Sequence, residues 1–231
     1  MRTPRRGIKS KFGLNTRFYH GLMAEEGLRE RKKRQTENAI ELAAVRIALR
    51  DGFAAATVRD ICALADVSRA TFFNYMPTRE AAIFGKPIEL IEMDAAEQAL
   101  AEASITDAVS AVYVLLLASV GHTRMNPAVA RGRARLAMEQ PGALELIKNQ
   151  YARISTQLTA FLGGWLAARP ECRRLPEASP LDEASLAVGI GMTAMGAVFA
   201  AQEDAEADVD LSAAVFHAQL DAIRRLAAAG E

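Results

Sequence analysis

Cysteine is nearly missing from this chain: Cys62 and Cys172 are the two among 231 residues. Two distant thiols make no disulfide framework, and Cys62 falls in an apolar helical stripe where it reads as a small core residue. Histidine is as sparse. His20, His122 and His217 are scattered, with no Glu-x-x-His or His-Glu-x-x-His spacing to hold a di-iron or zinc centre. No Ser/His/Asp or Cys/His arrangement suggests a nucleophile. Gly189-Ile-Gly191 lies within a helical pattern rather than after a strand, so it is no dinucleotide loop. These absences predict a protein that is not an enzyme and needs no metal or cofactor. No apolar run is read as reaching the ~18 residues of a membrane span. The opening Met-Arg-Thr-Pro-Arg-Arg-Gly lacks the apolar stretch of a signal peptide, so a soluble, cytoplasmic protein is expected.

What the chain does have is apolar, helix-forming material. It is 51% hydrophobic, with Ala and Leu prominent, which favours helices and supplies a sizeable core. Its length suits a small module joined to a larger one. The formal net charge is zero, but the charges are split. Residues 1–86 hold 17 Lys+Arg against 9 Asp+Glu, a net of +8; residues 87–231 hold the remaining 11 against 19, a net of −8. The split suggests a nucleic-acid-facing front on an acidic body. A solvated basic tail is the plainer alternative, because Arg29, Arg31, Lys32, Lys33 and Arg34 contribute much of the excess.

Residues 1–27 show no helical period and read as a flexible basic arm; Met23-Ala-Glu-Glu-Gly also looks like an ordinary protein start. A helix is predicted from about Leu28 to Asp51. Ile40, Ala43, Ala44, Ile47 and Ala48 recur at helical spacing, and Gly52 sits where a left-handed C-terminal cap belongs. Thr57 is the expected N-cap of the next helix, with Asp60 three residues on. Asp66 takes the turn and Ser68 caps a further short helix. Pro77-Thr78 ends that helix and starts another, which Gly85-Lys86-Pro87 interrupts. Further helices are expected near 106–122, 127–139, 142–168, 181–203 and 210–229. With no strand pattern of useful length, the predicted fold class is all-α. An N-terminal three-helix helix-turn-helix domain spans 28–84, with the motif at about 57–76, and a larger helical bundle spans 85–231.

Segment 57–75 carries the chemistry. Ile40, Ile47, Phe53, Ile61, Leu64, Val67 and Phe72 are the expected core of the front module. That leaves Arg69, Ala70, Thr71, Asn74 and Tyr75 on the outward face of the 68–76 helix, the face such a motif presents to the major groove. Ala70 and Thr71 are small enough to let the backbone approach base edges, and either can meet a thymine methyl. Arg69 can bind guanine through both its arms or pair with phosphate, and Arg59 can reach the groove or the backbone. Thr78 and Arg79 start a helix, where N–H groups and the dipole favour a phosphate. Thr57 and Ser68 serve equally well as caps alone, and Tyr75 and Phe73 as core aromatics.

Over 29–84 the chain resembles the N-terminal domain of the TetR family of bacterial transcriptional regulators. Gly52-Phe53, then Thr57-Val58-Arg59-Asp60-Ile61, then Ala65-Asp66-Val67-Ser68, then Thr71 through Glu80 match its pattern in order and spacing. Three positions depart from it. Asp66 stands where Gly is usual, which Asp tolerates because it visits left-handed backbone more readily than most residues. Phe73 stands where a phosphate-binding aromatic carries a hydroxyl. Arg79 replaces the usual Lys and keeps the charge.

The resemblance implies a homodimer whose last two long helices, here about 181–203 and 210–229, pair into a four-helix interface. It also implies double-stranded operator DNA as partner, and a small effector bound in the body that releases it. Tyr113, Leu117, His122, Met138, Phe161, Trp165, Met192 and Met195 are candidate linings of such a site and favour a hydrophobic effector. Packed core is the plainer reading of the same residues. The expected function is a ligand-responsive repressor. A helical ligand carrier or protein-interaction module that has lost DNA binding remains the alternative.

Overall fold

The computed structural model describes residues 28–120, 124–202 and 209–228. The expected arm 1–27 and the pocket candidate His122 lie outside the described residues. The fold is all-α. Its front comprises α1 (Leu28–Asp51), α2 (Val58–Ala65), α3 (Arg69–Tyr75) and α4 (Arg79–Phe84). The rest comprises α5 (Met93–Glu102), α6 (Ala108–Val120), α7 (Pro127–Glu139), α8 (Pro141–Ala167), α9 (Pro180–Ala201) and α10 (Ala213–Ala228).

α1 has the predicted limits. Gly52 closes it at φ +89°, a conformation glycine adopts without penalty, and its N–H donates to Ala48 O at 3.0 Å. Ile40, Ala44 and Ala48 bury one stripe of α1 against Ile61, Phe72, Met76 and Ile83. Leu64 departs from the expected core and is 52% exposed. The buried stripe of α2 runs through Val58, Ile61, Cys62 and Ala65, which is i, i+3, i+4, i+7 and leaves Leu64 off its edge.

The packing does not divide at residue 84. Val129 and Leu136 of α7 and Ala143 of α8 belong to the front core. A Cβ on Gly132 would lie 2.1 Å from Val45 Cγ1, so α7 approaches α1 more closely than any side chain at 132 permits. Arg133 donates from Nε to Ile83 O at 2.9 Å and from Nη2 to Glu41 Oε1 at 2.8 Å. Gln140, at the α7–α8 junction, accepts from Phe53 N–H and donates to Ala48 O, each at 3.0 Å. Polar bonds and a close helix contact thus fasten α7 to the front module.

The body is built round α6, buried from Ser110 through Leu117. Tyr113 is stacked on Phe216 with 4.6 Å between ring centres, and its hydroxyl donates to Leu211 O at 2.7 Å. Gly191 of α9 leaves room for Val112, whose Cγ1 would be 2.7 Å from an added Cβ. Two features were not expected. α5 buries Ala96, Ala99 and Leu100, a stripe made mainly of alanine that gives little periodic signal. Arg124–Met125 pairs antiparallel with Val209–Asp210, a two-residue ladder that takes the start of the last helix from 210 to Ala213.

α9 also corrects the expectation that no run reaches membrane-spanning length. It is long and apolar enough by composition, with a mean hydropathy of 1.7 over its most apolar stretch. One face is buried, through Ala184, Ala187, Val188, Ala194 and Val198. The other leaves Leu181, Leu186 and Ile190 exposed.

Candidate nucleic-acid interface

Caps at both helix starts and a left-handed turn between them set the angle of α2 to α3. Thr57 Oγ1 accepts from Asp60 N–H at 3.2 Å, and its hydroxyl donates to Asp60 Oδ2 at 2.5 Å. At the other end Asp66 adopts φ +53°, ψ +48°. Ser68 Oγ accepts from Thr71 N–H at 3.0 Å and lies 2.8 Å from Thr71 Oγ1. The hydroxyl of Thr71 is therefore engaged within its own helix. Each cap satisfies an N–H that would otherwise lack a partner.

Phe72, fully buried, pins α3 to the core, and Met76 follows beneath its end. Arg69, Ala70 and Asn74 are exposed, while Thr71 and Tyr75 are half-buried. Phe73 joins the exposed set at 46%. It is no core aromatic: its ring lies 5.6 Å beneath the Arg69 guanidinium and edge-on to Phe72 at 5.2 Å. The ring holds the guanidinium over an apolar platform on the outward side of the helix. Arg59, at the start of α2, is 89% exposed, with Nε 3.4 Å from Asp60 Oδ1.

Arg79 is placed differently from its expected phosphate role. Its Nη1 donates to Ala54 O at 3.0 Å and Ala56 O at 3.1 Å, while Nε and Nη2 donate to Glu80 Oε1 at 2.9 and 2.7 Å. The guanidinium ties the loop after α1 to the start of α4. Thr78 caps α4 by accepting from Ala81 N–H at 3.0 Å.

The local charges follow from these bonds. The Thr57 hydroxyl, with Arg59 adding to it, holds the Asp60 carboxyl below the usual carboxylate range. Burial works to raise Glu80, but its own backbone N–H and Arg79 outweigh that and keep it low. Burial pushes the Cys62 thiol up, so it stays a protonated packing residue.

The effector candidates share one cluster, with an exception. Tyr113, Leu117 and Trp165 are buried in the body core, and Phe161, Met192 and Met195 pack against it half-buried. Met138 corrects the expectation: it is 76% exposed on α7, whose buried stripe faces the front module through Val129, Gly132 and Leu136.

A short helix presented outward by two capped turns, on a core that fixes its angle, defines a DNA-binding helix-turn-helix regulator. Residues 41–81 match the family model described as bacterial regulatory proteins, tetR family. That match makes the helix-turn-helix segment a tetR-family domain. No curated protein sequence matches the chain. Among solved structures it is similar to Salmonella enterica GusR at 18% identity and a TM-score of 0.39, over 83% of this chain and 94% of that one. At that distance nothing is carried over from it.

Proposed function

We propose that the protein is a homodimeric, effector-responsive repressor that binds a near-palindromic operator through α3. Arg69, Ala70, Thr71 and Asn74 read base edges, with Arg59 at the rim of the groove. The single observation that carries the dimer is the outer face of α9. Leu181, Leu186 and Ile190 are exposed on it, and a Cβ on Gly189 or Gly196 would meet nothing within 4 Å. An apolar, small-residue face of this kind suits close packing against a second copy. Leu226 of α10 is exposed as well, at 80%. Two copies so joined would set their α3 helices in successive major grooves, about 34–36 Å apart.

Release follows from the fastening of α7 to the front module. An effector among Phe161, Trp165, Met192 and Met195 that favours another setting of α8 moves Gln140 and Arg133 with it. The spacing of the two α3 helices then changes, by as much as the effector's preference between the two states allows. The test is a mobility shift on DNA upstream of the protein's own gene, across salt concentrations and candidate hydrophobic ligands. A salt-sensitive shift reversed by a ligand is expected. No shift under any condition would favour the ligand carrier instead.

A further inference from the structure

Of the positions where the sequence pattern points to phosphate contacts, two are poorly placed to make them. Arg79 is committed to two loop carbonyls and Glu80, and Phe73 has no hydroxyl to donate. A strand of DNA flanking the major groove must still be met by cations, because phosphate neutralisation supplies most of the affinity of such a protein.

An open cleft of about 410 Å³ lies between the start of α1 and the end of α3, lined by Arg29, Lys32, Lys33, Asn74 and Tyr75. Arg29, Lys32 and Lys33 fall at i, i+3 and i+4, so they share one face of α1. None of the three has a carboxylate partner among the described residues. Glu37, which at four residues from Lys33 is its natural helical partner, pairs with Lys86 at 2.7 Å. Three like charges on one face repel one another, and they stand at the positive end of the α1 dipole. Among the described residues nothing offsets that cost, so an anion from outside is the fitting counterpart. The opposite wall of the cleft is the last turn of α3. With the first turn of α3 over base edges, that last turn faces a wall of the groove, which is sugar and phosphate.

We infer that this cleft seats a backbone phosphate of the bound duplex, held by Arg29, Lys32 and Lys33 with Asn74 and the Tyr75 hydroxyl as neutral donors. It is a phosphate clamp beside the reading helix. The clamp rests on the DNA-binding assignment, and it moves both Asn74 and Tyr75 from base reading to the backbone. The anion is gripped by side chains, so its binding is independent of sequence.

The test measures binding of the full chain to a labelled generic duplex by fluorescence anisotropy between about 50 and 200 mM salt, for wild type and the triple variant R29A/K32A/K33A. The slope of log affinity against log salt should fall by roughly 0.9 per phosphate lost, and affinity near 0.1 M salt should drop about tenfold. The variant R29K/K32R/K33R should keep the wild-type slope. Without DNA, the alanine variant should melt at the same temperature as wild type or higher, since repulsion at the positive end of α1 is relieved. An unchanged slope in R29A/K32A/K33A overturns the clamp and leaves DNA binding standing. Wild type that binds no duplex at the lowest salt overturns both. If inorganic phosphate at matched ionic strength stabilises wild type but not the alanine variant, and the DNA slope is unchanged, the cleft binds a free anion and the clamp is again overturned.

Discussion

Arg79 shows how one side chain can look like a ligand contact and serve as a brace. Its guanidinium spends its fork on Ala54 O, Ala56 O and Glu80, so its removal leaves loop carbonyls without their donor. R79A is expected to cost about 1–3 kcal/mol in urea unfolding, the range for lost hydrogen bonds to a charged group. R79K should recover little of it, because a single ammonium cannot reproduce the fork. Full stability in R79A would mean the brace is idle. Arg69 makes the opposite case. Its guanidinium rests on Phe73 and is otherwise free to read, so F73A should weaken operator binding several-fold while the core stays intact, the cation–π contact being worth about 0.5–1 kcal/mol at an exposed site. Equal binding by F73A and wild type would show that the platform does not matter. Gly132 is the third telling residue. G132A must push Val45 out of a filled core, and destabilisation of about 1–3 kcal/mol is expected by thermal or urea unfolding.

Among elements, those governed by local chemistry were legible and those governed by neighbours were not. Thr57, Ser68 and Thr78 cap their helices because each hydroxyl reaches an N–H three residues on, and Asp66 takes the left-handed turn; both are written in adjacent residues. The direction of Arg79 was not, since its carbonyl acceptors lie 25 and 23 residues earlier in the chain, before α2. α7 was found with its limits but not its allegiance. The phase of its stripe does not say which core it faces, and so Met138 was assigned to a pocket and lies in solvent. The anchoring of α9 was equally hidden. Glu183 on its first turn is buried and receives Arg173 Nε at 3.0 Å and Arg174 N–H at 2.5 Å. Burial alone would raise this carboxyl, but the Arg174 and Leu175 N–H groups and the Arg173 guanidinium outweigh it and hold it below the ordinary value of 4.5. The charged form is thus the one the fold favours. Its contribution is present above the unfolded value near 4.5 and is lost as pH falls through the lower folded value. In E183Q the acid limb of a stability-against-pH curve should be shallower below about pH 5. The same limb in both proteins would contradict this account of the anchor.

At the scale of the whole molecule, a positive front and a negative body were plain from charge counts, and an all-α fold from periodicity. The joint between them was not, because it is made by Gly132, Arg133 and Gln140, residues with no periodic or motif signal. The dimer proposal belongs at this scale. Replacing Leu186 and Ile190 by Glu on the outer face of α9 should give a folded monomer by light scattering, with operator affinity reduced at least tenfold; a dimer that persists would place the interface elsewhere. The central claim is that α3 reads DNA from the outer side of the front module. Hydroxyl-radical footprinting on the upstream DNA of the gene, with wild type and R69A side by side, tests it most directly. Wild type should protect two patches one helical turn apart on one face of the duplex. R69A should lose discrimination at one base step in each half-site while keeping the protected spacing. Protection that is the same for wild type and R69A at every base, or no protection at all, would contradict it.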